Sequence, residues 1–255
     1  MAEVSINTPR GVHLAGTFEP AGGHAAVLFV HGFLADRHSS TRFDRLAAAY
    51  RAAGYATLQV DLSGCGASDD DVVTVAGEVE DIRSASAWLA EEGYPVQAVH
   101  AHSFGTFAAM RAAAPHVVTM VLTGAMTGPM SYPWEEIFSP GQLDDLERLG
   151  HARIPDDNVA AAREYSVISR QTLADFSLID QAELLGSVKV PVLLVHGDHT
   201  EEASDQVVIT REGLHLLPAG SRLELLAGAE PGVGDRMDEV ARLALDWFAV
   251  HLPAG

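Results

Sequence analysis

With 255 residues, 47% of them hydrophobic, the chain can bury one large α/β core carrying an insertion, and no stretch separates two cores. Its formal charge of −19, from 35 acidic and 16 basic residues with Lys189 the sole lysine, would repel phosphate backbones and anionic head groups, so neither nucleic acid nor a membrane is an expected partner. No basic segment followed by an apolar one opens the chain and no apolar run of about 20 residues occurs, which points to a cytoplasmic protein; Cys65, the single cysteine, allows no disulfide framework or thiol-rich metal site.

In chain order, Val4 to Ile6 and His13 to Phe18, broken by Pro9-Arg10-Gly11, read as an antiparallel hairpin. Apolar, β-rich runs then alternate with segments of helical period. Strands are predicted at Ala25 to Val30, Ala56 to Val60, Val96 to His100, Val117 to Thr123, Val190 to His196 and Arg222 to Leu226. Helices are predicted around Arg42 to Ala53, Val75 to Glu92, Phe104 to Ala114, Asp205 to Leu217 and Arg236 to His251. That alternation is the signature of a doubly wound, mostly parallel α/β sheet. Met126 to Ser187 is too long for a crossover, and its helical patterns mixed with Pro129, Pro133, Trp134, Phe138, Tyr165 and Phe176 predict a helical cap, residues 126–187, over the C-terminal sheet edge. Residues 1–125 and 188–255 would form the core.

The chemistry centres on Ala101-His102-Ser103-Phe104-Gly105. Ser103 falls on the turn between a buried strand and a helix, a strained position that lifts its side chain above the sheet and needs small neighbours, here Ala101 and Gly105. The plain alternative for such a serine is a helix N-cap. With His31-Gly32-Phe33 after one strand and Asp61-Leu62-Ser63-Gly64-Cys65-Gly66-Ala67-Ser68 after the next, the chain resembles the α/β-hydrolase superfamily almost end to end, in particular its capped lipase-like and thioesterase-like members. Ala101 departs from the motif's usual glycine. The resemblance implies Ser103 as nucleophile and the backbone N–H groups of Phe33 and Phe104 as an oxyanion hole worth about 3 kcal/mol per donor.

Two positions break the pattern. His196-Gly197-Asp198-His199-Thr200 puts Thr200 where the family carries its acid, and Leu226-Ala227-Gly228-Ala229-Glu230 puts Glu230 where it carries its histidine. A serine hydroxyl needs a base, so three readings compete. In the first the roles are exchanged, with His199 as base and Glu230 orienting it, since a triad is defined by geometry and role. In the second Glu230 acts alone or through a water. In the third the relay is dead and the protein binds or cyclises a ligand in the capped pocket. Asp198 and Asp205 are further candidates for the acid.

The remaining features read plainly. His31 and His196 belong to strand ends, His102 should point away from the serine's face, and His100-x-His102 lacks a third ligand, so no metal and no cofactor is expected. The run Asp69-Asp70-Asp71 lacks the other ligands of a calcium loop. Trp134 and Cys65 are candidates for the substrate pocket. The expected activity is ester or thioester hydrolysis, or acyl transfer, through an acyl-Ser103 intermediate. Its acyl substrate would be a small molecule, carrier-protein-bound or a peptide. An Arg-over-Lys, Ala-rich composition looks like a high-GC bacterial genome, where such proteins often serve natural-product pathways as thioesterases, acyltransferases or cyclases.

Overall fold

The computed structural model describes residues 2–156, 163–199 and 201–253, the side chains of 201–204 aside. The chain opens with the hairpin β1 (Ala2–Asn7) and β2 (His13–Glu19), then runs through β3 (Ala25–Val30), α1 (Arg42–Ala52), β4 (Ala56–Val60), β5 (Val72–Val73), α2 (Val75–Glu91), β6 (Val96–His102), α3 (Phe104–Ala112) and β7 (Val117–Thr123). The insertion contributes α4 (Trp134–Ile137), α5 (Pro140–Leu149), β8 (His151–Pro155), β9 (Tyr165–Ser169), α6 (Arg170–Ser177) and α7 (Gln181–Ser187). The core resumes with β10 (Val192–Gly197), α8 (Glu201–Gly213), β11 (Arg222–Leu226) and α9 (Met237–His251).

Eight strands form one sheet in the order β1-β2-β4-β3-β6-β7-β10-β11; the hairpin is antiparallel, β2 pairs antiparallel with β4, and β4, β3, β6, β7, β10 and β11 run parallel. Strand alternation divides the core. On β3, Ala26, Leu28 and Val30 pack toward α2 and α3, whereas Ala25, Val27 and Phe29 pack toward α1 and α9. Because β3 lies between β4 and β6, the chain leaves it first to one side and then to the other. Ligands of such sheets sit beyond the strand C-termini at that reversal. The ends of β3 and β6 carry His31-Gly32-Phe33 and Ser103 respectively.

The insertion is not purely helical. Residues 151–155 and 165–169 pair antiparallel, and β9 pairs in parallel with the two residues of β5, giving a small second sheet that ties the insertion to the loop after β4. The helix α5 is closed at both ends: Ser139 forms a capping box with Gln142, Pro140 follows it, and Gly150 takes a left-handed φ of 83°. Phe138, Leu146, Ala152 and Ile168 make the cap's own core, against which Phe33 and Leu34 pack from the main domain. The cap is thereby seated over the loop after β3.

Candidate active site

Ser103 has φ 50° and ψ −126°, a left-handed backbone at the abrupt change from β6 to α3. A non-glycine residue is held there only when its surroundings over-determine it. The Ser103 N–H donates to Thr123 O at 3.0 Å, and Ser103 O accepts from Thr106 N at 2.9 Å and from Thr106 Oγ1 at 2.6 Å. Small neighbours are obligatory: a Cβ on Gly32 would lie 3.2 Å from Ser103 Cβ, and one on Gly105 would lie 2.2 Å from His31 O. The Ser103 side chain makes no N-cap hydrogen bond, so its hydroxyl is not used to start the helix.

Phe33 follows β3 and Phe104 opens α3; neither N–H donates to another group among the described residues. Leu34, next to Phe33, also has a left-handed φ of 50°, so strained backbone flanks both N–H groups. Behind this loop the His31 imidazole is buried, with Nδ1 2.9 Å from Gly32 O and Nε2 accepting from Leu62 N at 2.9 Å. Asp61 organises the next loop, accepting from the Arg37 and Ala67 N–H groups and from Arg37 Nη1 at 2.6 Å. Gly66 packs so closely on that carboxylate that a Cβ would stand 2.3 Å from it.

A cavity of about 200 Å³ opens here, lined by Ser103, His102, Gly32, Phe33, Arg42 and Phe43 among others. The expectation that His102 points away from the serine is corrected by its ring, which shares this cavity. Thr123 draws it there, with Nδ1 3.1 Å from both Thr123 O and Oγ1. Donation to the carbonyl puts the proton on Nδ1 and leaves Nε2 with its lone pair. Burial and the Arg42 charge push the His102 pKa down to about 3. His100, one full pleat deeper, is also held near 3 by burial and hydrogen-bonds Tyr50 Oη at 2.7 Å.

His199 and Glu230 lie on adjoining loops. The His199 N–H donates to Ala229 O at 3.0 Å, and a Cβ on Gly197 would meet the backbone oxygens of Glu230 and Ala229 at 2.1 and 2.4 Å. Both side chains are exposed, and among the described residues no hydrogen bond joins Ser103, His199 and Glu230. Glu230 extends toward Gly234 and Arg42, whose guanidinium it influences electrostatically. Gly232, on the Glu230 loop, lies against the His102 ring. Asp198 Oδ1 accepts from Gly228 N at 2.6 Å, a bond between the two loops, and Thr200 lies outside the described residues.

Above the elbow stands an aromatic cluster. Phe176 stacks on Phe104 with centroids 4.4 Å apart and meets Phe33 edge-on at 5.0 Å. Trp134, half-buried, contacts Phe176, Tyr132 and Phe138. It therefore reaches Phe33 and Phe104 through one ring. Cys65 is 1% exposed and is not among the residues lining the Ser103 cavity; burial raises its thiol pKa. Among the described residues no group of histidine, cysteine and carboxylate side chains is placed to hold a metal. No described helix is long and apolar enough to cross a membrane.

Fold and elbow together define a class. The chain matches the model of the alpha/beta hydrolase family over residues 27–243 and belongs to that family. It is similar in fold to DcsB, solved in complex with its substrate analogue (TM-score 0.80, 15% identity, covering 98% of this chain and 99% of that one). GrgF, an alpha/beta hydrolase from Penicillium sp. sh18, superposes with TM-score 0.77 at 16% identity over 98% of each chain. Est1E from Butyrivibrio proteoclasticus, solved with ferulic acid bound, gives TM-score 0.74 at 16% identity over 98% of this chain and 99% of that one. No curated protein matches the sequence.

Proposed function

We propose that the protein cleaves esters or thioesters by acyl transfer through Ser103. The observation that carries this reading is the left-handed Ser103 at the β6–α3 turn, its hydroxyl unused for capping, with the N–H groups of Phe33 and Phe104 on the adjoining backbone unpaired among the described residues. Oγ attacks the acyl carbon, its proton passes to the base, and the carbonyl oxygen becomes an oxyanion held by the two N–H groups. When the C–O or C–S bond breaks, the base returns that proton to the leaving alcohol or thiol. Water then cleaves acyl-Ser103 by the same route, and an alcohol, thiol or amine takes its place if the cap excludes water. No cofactor is called for.

The base in this reading is His199, oriented by Glu230. Its support is the contact of their loops through His199 N and Ala229 O, and the reach of the Glu230 loop to His102 beside the serine. Catalytic hydrogen bonds absent from an unliganded site often form only with substrate in place. Phe33, Phe104, Phe176 and Trp134 suit an apolar or aromatic acyl group, in keeping with the ferulic acid bound to Est1E. A natural-product or carrier-bound acyl chain falls in that class, and a cytoplasmic setting would supply it.

A second reading, a binding or cyclising protein with an idle serine, is favoured by the exposure of His199 and Glu230 and the lack of any hydrogen bond from them to Ser103. Turnover of nitrophenyl esters separates the two. Acyl transfer requires that Ser103→Ala abolish the rate and that His199→Ala lose about as much, since members of one relay are not additive. A folded Ser103→Ala protein with full turnover would end the first reading. Inactive wild type that still binds an acyl ligand would establish the second.

A further inference from the structure

Among the described residues, four arginines are buried or half-buried: Arg37, Arg42, Arg51 and Arg163. Three of them hold a carboxylate within hydrogen-bonding reach, Arg37 with Asp61 and Glu3, Arg51 with Glu19, and Arg163 with Asp70. Among the described residues Arg42 forms no ion pair, although the chain carries 35 acidic residues against 16 basic ones. Among the described residues its guanidinium hydrogen-bonds to the backbone oxygen of Gly232. A half-buried guanidinium with no carboxylate bonded to it is costly, and it attracts an anion from solution.

Its location says which anion. Arg42 lines the same cavity as Ser103, Gly32 and Phe33. Asp36, the one carboxylate on that wall, is turned to its own loop, with Oδ1 accepting from His38 N at 2.7 Å. Glu230 is the nearest carboxylate, since a Cβ on Gly234 would meet its Oε1 at 2.4 Å and Arg42 Nη2 at 3.2 Å, and it acts on the guanidinium electrostatically; but it is exposed and, among the described residues, forms no ion pair with Arg42. Arg42 is also the first residue of the eleven-residue helix α1, whose N-cap Thr41 offers no side-chain hydrogen bond, so the helix's positive end adds to the guanidinium. A planar guanidinium takes a carboxylate through paired N–H donors, which fixes orientation as well as charge.

We propose that Arg42 is an anion subsite next to the nucleophile, and that the substrate carries a carboxylate which it binds while the scissile carbonyl faces Ser103. This rests on the acyl-Ser103 reading for its catalytic meaning and not for its existence. The carboxylate belongs to the acyl chain or to the leaving group, and the substrate carries it into a cavity too small for a large anionic polymer.

Binding tests the subsite without turnover. On the full chain with Ser103→Ala, monomethyl glutarate and dimethyl glutarate are titrated by calorimetry. The monoacid should bind about 10- to 100-fold more tightly, the value of one charged hydrogen-bonded contact. Adding Arg42→Gln should erase the difference and Arg42→Lys should restore part of it. Equal binding of acid and diester by the parent overturns the proposal without recourse to any arginine variant, and so does undiminished acid binding by a folded Arg42→Gln protein.

Kinetics then places the carboxylate. Mono-nitrophenyl glutarate carries it on the acyl side and butyryloxybenzoate on the leaving group; nitrophenyl butyrate is the neutral reference. Arg42→Gln should raise KM for one anionic ester relative to the neutral one by about 10-fold or more. A clamp that merely positioned the Gly232 loop would lower all three alike, and that result would overturn the proposal. Acid-selective binding with no turnover of any ester would sink the acyl-Ser103 reading and leave the subsite standing.

Discussion

Gly105 and His31 are in mutual contact: the α-carbon of Gly105 lies so close to the His31 carbonyl that a Cβ would come within 2.2 Å of the oxygen. This joins the first turn of α3 to the end of β3, and hence Ser103 to the loop of His31, Gly32 and Phe33. Gly105→Ala must push the two apart. It should cost roughly 1–3 kcal/mol by overpacking and, if the displaced Phe33 N–H serves the transition state as proposed, lower kcat more than it raises KM. Denaturant unfolding and steady-state kinetics on the same preparation check both halves.

Phe176 is the link between cap and elbow, 4% exposed and stacked on Phe104. Phe176→Ala should destabilise by about 3–5 kcal/mol, the usual cost of emptying a buried aromatic position. Phe176→Leu should recover most of the stability while losing the ring contact to Phe104 and Phe33. If the cluster shapes the acyl pocket, discrimination between aromatic and short aliphatic esters falls in the leucine variant. Unchanged discrimination would confine Phe176 to packing.

Glu78 is 2% exposed, and its Oε2 has no partner among the described residues. Burial first, then the nearby Asp81 and Asp175, hold its carboxyl pKa well above 4.5. The folded chain therefore keeps a proton that the unfolded chain releases. That contribution to stability is complete below 4.5 and is lost as pH rises toward the folded value, by about 1.4 kcal/mol per pH unit. Glu78→Gln should match the wild type at low pH and exceed it by a margin that grows with pH. Urea unfolding at several pH values reads that margin.

His100 gives the opposite slope. It is fully buried, stacked on Phe29, and its pKa is lowered from 6.5 to about 3 by burial, with smaller effects from His102 and Arg42. An unfolded chain takes up a proton near 6.5 that the folded one refuses. The stability it contributes is present above that pH and declines as pH falls toward 3, again by about 1.4 kcal/mol per unit. The imidazole signals of His100 should keep their neutral-form NMR shifts throughout the range in which exposed histidines titrate. A titration midpoint near 6.5 would contradict the buried assignment.

The core strands could be read because each carries its burial in its own residues. Ala25 to Val30, Ala56 to Val60, Val117 to Thr123 and Arg222 to Leu226 lie where the pattern places them. The hairpin and the elbow were equally legible, since turn residues and small flanks are local signals. The strands of the insertion were not. Residues 151–155 and 165–169 are short and half-buried, and β9 is completed by Val72 and Val73, a pairing that no local pattern announces. The missing family histidine was visible at Glu230, but the cation near it was not: Arg42 is 190 residues from the Gly232 carbonyl it bonds. Likewise the placement of His102 depends on Thr123, from the neighbouring strand.

The central claim is that Ser103 is a working nucleophile, and intact-mass spectrometry after exposure to a fluorophosphonate tests it most directly. One adduct per chain, located at Ser103 and absent from Ser103→Ala, is the predicted result. Folded wild-type protein that takes up no label, or a Ser103→Ala variant that labels equally, would contradict it.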